Sequence, residues 1–131
     1  MSKILVADDS KFQVALLKSA LEAKGFEVVT AMDAAQTTML ALRQSPDAIV
    51  LDINMPGGSG IEVLKRLKHS TKTQQIPVVI ASGTEDSDVL HVATQLGVSA
   101  CFPKPVDTDR LCQALELLVA TRSSAATAGK H

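Results

Sequence analysis

Five short apolar runs, Ile4 to Ala7, Phe26 to Thr30, Ala48 to Leu51, Val78 to Ala81 and Ala100 to Phe102, recur along the chain with amphipathic stretches between them. Runs this short read as strands. The central ones are continuously apolar rather than alternating, the pattern of strands covered on both faces by the helices of a parallel sheet. Five alternations of strand and helix therefore predict a doubly wound α/β fold built on a five-stranded parallel sheet.

The helix signals agree with this reading. Ser10 with Gln13, Asp33 with Gln36 and Ser59 with Glu62 each have capping-box spacing. Val14, Leu17 and Leu21 repeat at three and four residues, and Gly25 supplies a stop. Ser45 before Pro46 ends the second helix, because proline disfavours helix in the residue that precedes it. A fourth helix is expected from about Glu85 to Leu96, before Gly97, and a fifth carries Leu111, Leu115 and Leu118 on one stripe with Leu117 outside it.

At 131 residues and 46% hydrophobic content the chain suits one domain, read as residues 1–121, with 122–131 a small, polar, disordered tail or the start of a linker. Thirteen basic against fourteen acidic residues leave no electrostatic footprint for nucleic acid or an anionic membrane. No apolar run reaches the length of a membrane span and no secretory signal is visible, so a cytoplasmic location is expected. Cys101 and Cys112 lack metal-ligand spacing and lie in apolar surroundings, which predicts buried free thiols. His69, His91 and His131 stand apart, with no partner at zinc-binding spacing.

The chemistry lies at the strand ends. Asp8 and Asp9 follow the first strand, Asp52 the third, Ser82 and Gly83 the fourth, Lys104 and Pro105 the fifth. Open α/β sheets bind ligands outside the carboxyl ends of their strands, so these side chains are expected to converge. Three carboxylates in one cleft need a counter-charge, and a hard divalent cation such as Mg²⁺ prefers such oxygen ligands. Lys104 adds a positive point charge and Ser82 a hydroxyl donor; the set suits phosphoryl transfer, where positioning and charge neutralisation dominate. Taken singly, Asp8 and Asp9 could be helix-end charges, "PGGSG" a plain turn, Ser82 a helix cap and Lys104 a surface lysine.

In combination, "ILVADDS", "IVLDINMPGGSG", "VVIASG" and "CFPKPVD" resemble the motifs of the response regulator receiver family of two-component signalling, in order and each at a strand end, over residues 3 to about 120. The resemblance implies a flavodoxin-like fold with strand order 2-1-3-4-5. It implies that Asp52 accepts a phosphoryl group from a phosphohistidine on a sensor histidine kinase or phosphotransfer protein. Asp9, Asp52 and the main-chain oxygen of Asn54 would ligate Mg²⁺, Asp8 would act through a metal-bound water, and Ser82 and Lys104 would hold phosphoryl oxygens. Asn54 and Thr84 occupy the positions that tune phosphoryl lifetime. The surface of the fourth helix, fifth strand and fifth helix would meet a downstream protein or a linked effector domain.

One position departs from the family pattern. Cys101 stands three residues before Lys104, where many receivers carry Tyr or Phe as a switch, and Phe102 one place later faces the other side of its strand. Competing readings are a phosphorylation-independent binding module, which the intact acidic and basic set argues against, and a Mg²⁺-dependent aspartyl phosphatase, whose nucleophile would follow the first strand in a DxD pattern that "VADDS" lacks. A flavodoxin would want a Ser/Thr-rich phosphate loop and aromatic walls, which are missing.

Overall fold

The computed structural model describes residues 1–55, 58–83 and 87–128, and of residues 58–59, 87 and 123–128 the backbone alone. In chain order the elements are β1 (Lys3–Ala7), α1 (Lys11–Ala23), β2 (Glu27–Ala31), α2 (Ala34–Gln44), β3 (Ala48–Leu51), β4 (Asn54–Met55), β5 (Gly58–Ser59), α3 (Gly60–His69), β6 (Val78–Ser82), α4 (Ser87–Gln95), β7 (Ala100–Pro103) and α5 (Thr108–Ala128). Five strands form a parallel sheet in the order β2-β1-β3-β6-β7. With the small β4–β5 hairpin set aside, this is the expected 2-1-3-4-5. Sequence patterning gave no sign of that antiparallel hairpin, because two-residue strands carry no periodicity.

Strand alternation divides the core in two. Ile4 and Val6 of β1, Ala48 and Val50 of β3, and Val79 and Ala81 of β6 pack with Leu17 and Leu21 of α1 and with Leu111 and Leu115 of α5. Leu5, Ile49, Leu51, Val78 and Ile80 point the other way, toward Ala41 of α2, Val63, Leu64 and Leu67 of α3 and Ala93 of α4. β3 and β6 are buried at every residue, whereas the edge strands β2 and β7 keep partly exposed positions. This is why the central runs are apolar throughout. Pro103, which cannot donate to a ladder, lies on the β7 edge where that loss is tolerated.

The helix ends follow their sequence signals. The Ser10 hydroxyl accepts the Gln13 N–H at 3.2 Å, and an Asp33 carboxylate oxygen accepts the Gln36 N–H at 2.8 Å. Gln36 Oε1 in turn takes the N–H of Met32, one residue before the cap. Gly25 and Gly97 follow α1 and α4 with φ of +92° and +89°, the left-handed geometry that glycine adopts without a Cβ clash. Of the third expected capping pair, the Ser59 side chain lies outside the described residues, and α3 begins directly after it.

One expectation is narrowed and one is corrected. The backbone of residues 122–128 is helical and continues α5 to Ala128, which sets aside a disordered course for these residues and leaves the start of a linker as the reading; the segment contains no Gly or Pro before Gly129, and alanine is the strongest helix former. Cys101 is exposed, while Cys112 is buried at 2%. Cys101 lies on the edge strand, and its neighbours Ala100 and Phe102 pack into the α1/α5 side of the core, so alternation turns the thiol to the opposite, open side.

Candidate functional site

The ladder positions the carboxylates. Ala7 lies opposite Leu51 in the β1–β3 register, which places the next residues, Asp8 and Asp52, side by side across 44 residues of sequence (52 minus 8). Each is held by one further ladder bond: the Asp8 N–H donates to the Ala31 carbonyl at 3.0 Å and the Asp52 N–H to the Ala7 carbonyl at 2.9 Å. Their side chains then repeat one local motif. Asp8 Oδ1 accepts the N–H of Ser10 at 3.0 Å, and Asp52 Oδ1 accepts the N–H of Asn54 at 3.1 Å. Both are turns of the type that Asp forms with the amide two residues on, and both fix a carboxylate at a strand end.

Asp8 and Asp52 are 2% and 3% exposed, and Asp9 beside them faces solvent. The three can each offer a carboxylate oxygen within 4.8 Å of the others. Ser10, not either aspartate, caps α1, so the helix-end reading of Asp8 and Asp9 does not account for their placement.

Lys104 enters from the opposite side. Its N–H donates to the Ser82 carbonyl at 3.1 Å, which ties the end of β7 to the end of β6. Its ammonium lies 2.9 Å from Asp8 Oδ2 and 3.4 Å from Asp52 Oδ2. The Lys104–Pro105 peptide is cis. Ser82 is 4% exposed at the same sheet edge. The structure thus brings together Asp8, Asp9, Asp52, Ser82 and Lys104, with Asn54 bonded to Asp52 through its main chain. Thr84 lies outside the described residues, and Cys101 stands on the exposed side of β7.

Electrostatics follow from this crowding. Burial pushes the Asp52 carboxyl above the usual carboxylate range; the Asn54 hydrogen bond pulls it back, Asp8 pushes it up again, and Lys104 lowers it. For Lys104, burial opposes the charged form, but the hydrogen bond to Asp8 and the charges of Asp52 and Asp8 outweigh it and hold the ammonium above the ordinary lysine range. One lysine against three carboxylates leaves the cluster with excess negative charge. Oxygen-only donors, close grouping and that excess suit a hard divalent cation such as Mg²⁺.

Gly60, which sequence reading treats only as one of three glycines in a permissive loop beside Asp52, has a role of its own. Its N–H donates to the Ile53 carbonyl at 2.6 Å, and a Cβ placed on it would stand 2.5 Å from Ile53 Cα and 2.6 Å from the Asp52 carbonyl oxygen. No side chain fits there without moving the backbone that carries Asp52. The available signal was a glycine at the first position of a helix, the last of three in "PGGSG".

Comparison with known proteins points the same way. Residues 4–116 match the sequence model of the response regulator receiver domain. The protein PilH of Pseudomonas aeruginosa is 31% identical over 121 residues, covering 92% of this chain and 99% of its own length. Sporulation initiation phosphotransferase F of Bacillus subtilis is 30% identical over 122 residues, covering 93% and 97%. Response regulator PleD of Caulobacter vibrioides is 38% identical over 106 residues, but the chain spans only 23% of that relative. Against the transcriptional regulatory protein PrrA of Mycobacterium tuberculosis it spans 54%. Among solved structures, a receiver domain protein from Clostridium thermocellum superposes with a TM-score of 0.87 at 28% identity, covering 95% of this chain and 99% of the other. A sheet ordered 2-1-3-4-5, carboxylates and a lysine meeting at its carboxyl edge, and a match spanning most of the sequence lead to one assignment: the chain belongs to the response regulator receiver family.

Proposed function

We propose that this receiver takes a phosphoryl group onto Asp52 from a phosphohistidine and uses the modified state to switch a protein-binding surface. The observation that carries the reading is the Lys104 ammonium bridging Asp8 and Asp52, 2.9 Å and 3.4 Å away, at the mouth of a three-carboxylate cluster. A carboxylate oxygen of Asp52 attacks phosphorus while the bond to the donor imidazole nitrogen breaks, and the imidazole leaves with its electron pair. Lys104 and Ser82 hold the phosphoryl oxygens, and charge neutralisation lowers the barrier. Asp9, Asp52 and the main-chain oxygen of Asn54 are the residues that would hold Mg²⁺, with Asp8 reaching it through water. The ion would supply positive charge for the phosphoryl oxygens. Later attack of water on the aspartyl phosphate returns Asp52 and inorganic phosphate, with Asn54 and Thr84 setting access.

The added charge displaces Lys104 from Asp8, and the strand it ends, β7, carries the change to the α4–β7–α5 surface. Cys101 on that strand offers no ring to turn inward, so this receiver relays the change through Ser82, Lys104 and the β7 backbone. Partners are a histidine kinase or phosphotransfer protein upstream and a protein or linked effector domain downstream. The signalling unit closes near Thr121. Among the described residues no helix is long and apolar enough to cross a membrane, which fits a cytoplasmic module.

The test is intact-mass measurement after incubation with a small phosphodonor and Mg²⁺, repeated with Asp52→Asn and with a chelator. Gain of one phosphoryl group, absent from both controls, is expected. No gain with any donor would leave a phosphorylation-independent binding module as the better reading.

A further inference from the structure

A second concave site lies at the far edge of the sheet from Asp52. Pro77 and Ser99 immediately precede β6 and β7, whereas Ser82 and Lys104 stand at or after their other ends. There the end of α3, the chain after α4 and the later turns of α5 border an open cleft of about 350 Å³, within the range of small-molecule sites. Its walls are fixed by the sheet: the Pro77 carbonyl accepts the Ile49 N–H at 2.9 Å, and the Ser99 N–H donates to the Val78 carbonyl at 2.8 Å.

The chemistry of the lining is one-sided. Lys68 and Arg122 bring two cations, and no described lining residue is acidic. The Lys68 stem passes Gly97, and among the described residues its ammonium meets only the Gln74 carbonyl, at 3.4 Å. Burial holds that ammonium below the ordinary lysine range. Arg122 uses one nitrogen, Nη1, for the carbonyls of Pro46 and Asp47 and for Asp47 Oδ1 at 3.7 Å. A guanidinium carries five N–H donors, so others remain for the cleft. The hydroxyls of Ser99 and Thr121 add donors, and Ile76 and Leu118 supply apolar surface beside them.

We propose that this cleft is a second ligand site, one that takes a small organic phosphate, with Lys68 and Arg122 on the phosphoryl oxygens and the organic part against Ile76 and Leu118. A donor-only set of one point charge, one planar fork and two hydroxyls matches a tetrahedral oxyanion, and charge-assisted bonds are the strong ones. An occupant would tie α5 to the connection between α3 and β6, independently of the acceptor.

The probes are inorganic phosphate and phenyl phosphate, titrated without divalent cation into ¹⁵N-labelled full chain and followed by amide shifts. We expect saturable shifts at Gln75, Ser99 and Thr121, with phenyl phosphate the tighter ligand. The affinity should fall about tenfold in Lys68→Met and in Arg122→Gln and persist in Asp52→Asn. Lys68→Met keeps the stem over Gly97, so its fold is maintained. Absence of shifts at these residues up to on the order of 10 mM would overturn the site, as would unchanged affinity in Lys68→Met. Shifts that vanish in Asp52→Asn would move the anion to the acceptor edge, and equal affinity for the two probes would overturn the organic assignment.

Discussion

Lys104 Nζ lies 2.9 Å from Asp8 Oδ2, closer than its 3.4 Å approach to Asp52. The ammonium therefore neutralises Asp8 first and Asp52 second. Asp52 is left with burial and the Asp8 charge pushing its carboxyl up, and with Asn54 and Lys104 pulling it down. These opposing influences can be separated. Lys104→Met removes a lowering influence and should move the rising limb of the rate of phosphorylation by a small donor to higher pH. Asp8→Asn removes a raising one and should move it to lower pH. Pre-steady-state rates across a pH series check both, and shifts of the same sign would contradict this account of the site.

Asp52 also costs the fold stability at neutral pH. Its folded-state pKa is raised, so protonation favours the folded form: that contribution is complete below the unfolded value and is lost as pH rises through the folded one. Asp52→Asn is neutral at every pH and avoids the cost. The variant should exceed the parent in urea stability at pH 7 by about 1 kcal/mol, the usual scale of a single substitution. The advantage should shrink as pH falls toward the ordinary carboxylate range. A parent chain more stable than Asp52→Asn at pH 7 would overturn the sign. Magnesium should narrow the gap at neutral pH by stabilising only the parent.

Two glycines near Asp52 should respond oppositely to substitution. A methyl group on Gly60 would meet the backbone of Ile53 and Asp52 at 2.5 and 2.6 Å, whereas one on Gly83 would have Lys104 Cβ, at 3.9 Å, as its nearest neighbour among the described residues. Gly60→Ala should cost about 2 kcal/mol or more, as overpacking against backbone does, and should slow phosphorylation by shifting Asp52. Gly83→Ala should change stability by less than about 0.5 kcal/mol. Denaturant melts of the two variants provide the check.

The same residues show where sequence was legible. The doubly wound sheet could be read because β1, β3 and β6 are buried on both faces, and burial on both faces leaves a continuous apolar run. Asp8, Asp52, Ser82 and Lys104 could be read because a parallel sheet aligns its carboxyl ends. Gly60 could be read only as part of a permissive loop, because its own role is a contact between the start of α3 and the backbone of Asp52 and Ile53, which no periodicity records. Cys101 misled because local composition around it is apolar, while its exposure depends on β7 being an edge. The helical path of residues 122–128 was missed because low apolar content was read as loss of structure, although alanine favours helix without burying anything.

The two thiols should therefore behave differently. In the folded protein, a water-soluble disulfide reagent should label Cys101 and spare Cys112, which is 2% exposed and faces the Ala20 carbonyl. Partial burial raises the Cys101 thiol, so labelling at pH 7 should be slower than for a free peptide thiol and should quicken with pH. Both should react in denaturant. Mass analysis of labelled peptides distinguishes them, and equal protection of the two in the folded state would place Cys101 inside the core.

Phe12 and Leu16 lie one helical turn apart on α1, 77% and 44% exposed, and α1 starts two residues after Asp9. An exposed phenylalanine on this helix gains nothing for the fold, and alanine has the better helix propensity, so Phe12→Ala should leave stability unchanged or slightly improved. On the proposed function, a protein that delivers a phosphoryl group from phosphohistidine to Asp52 must cover the rim of the site and would bury these side chains, whereas a small donor would not touch them. Phe12→Ala should lower the rate of transfer from a phosphorylated histidine protein about tenfold, the scale of a buried aromatic anchor, and leave phosphorylation by a small donor at the parent rate. Parallel time courses with the two donors make the comparison. Equal slowing with both would place Phe12 in support of the acceptor site, and no slowing with either would remove this face of α1 from donor docking.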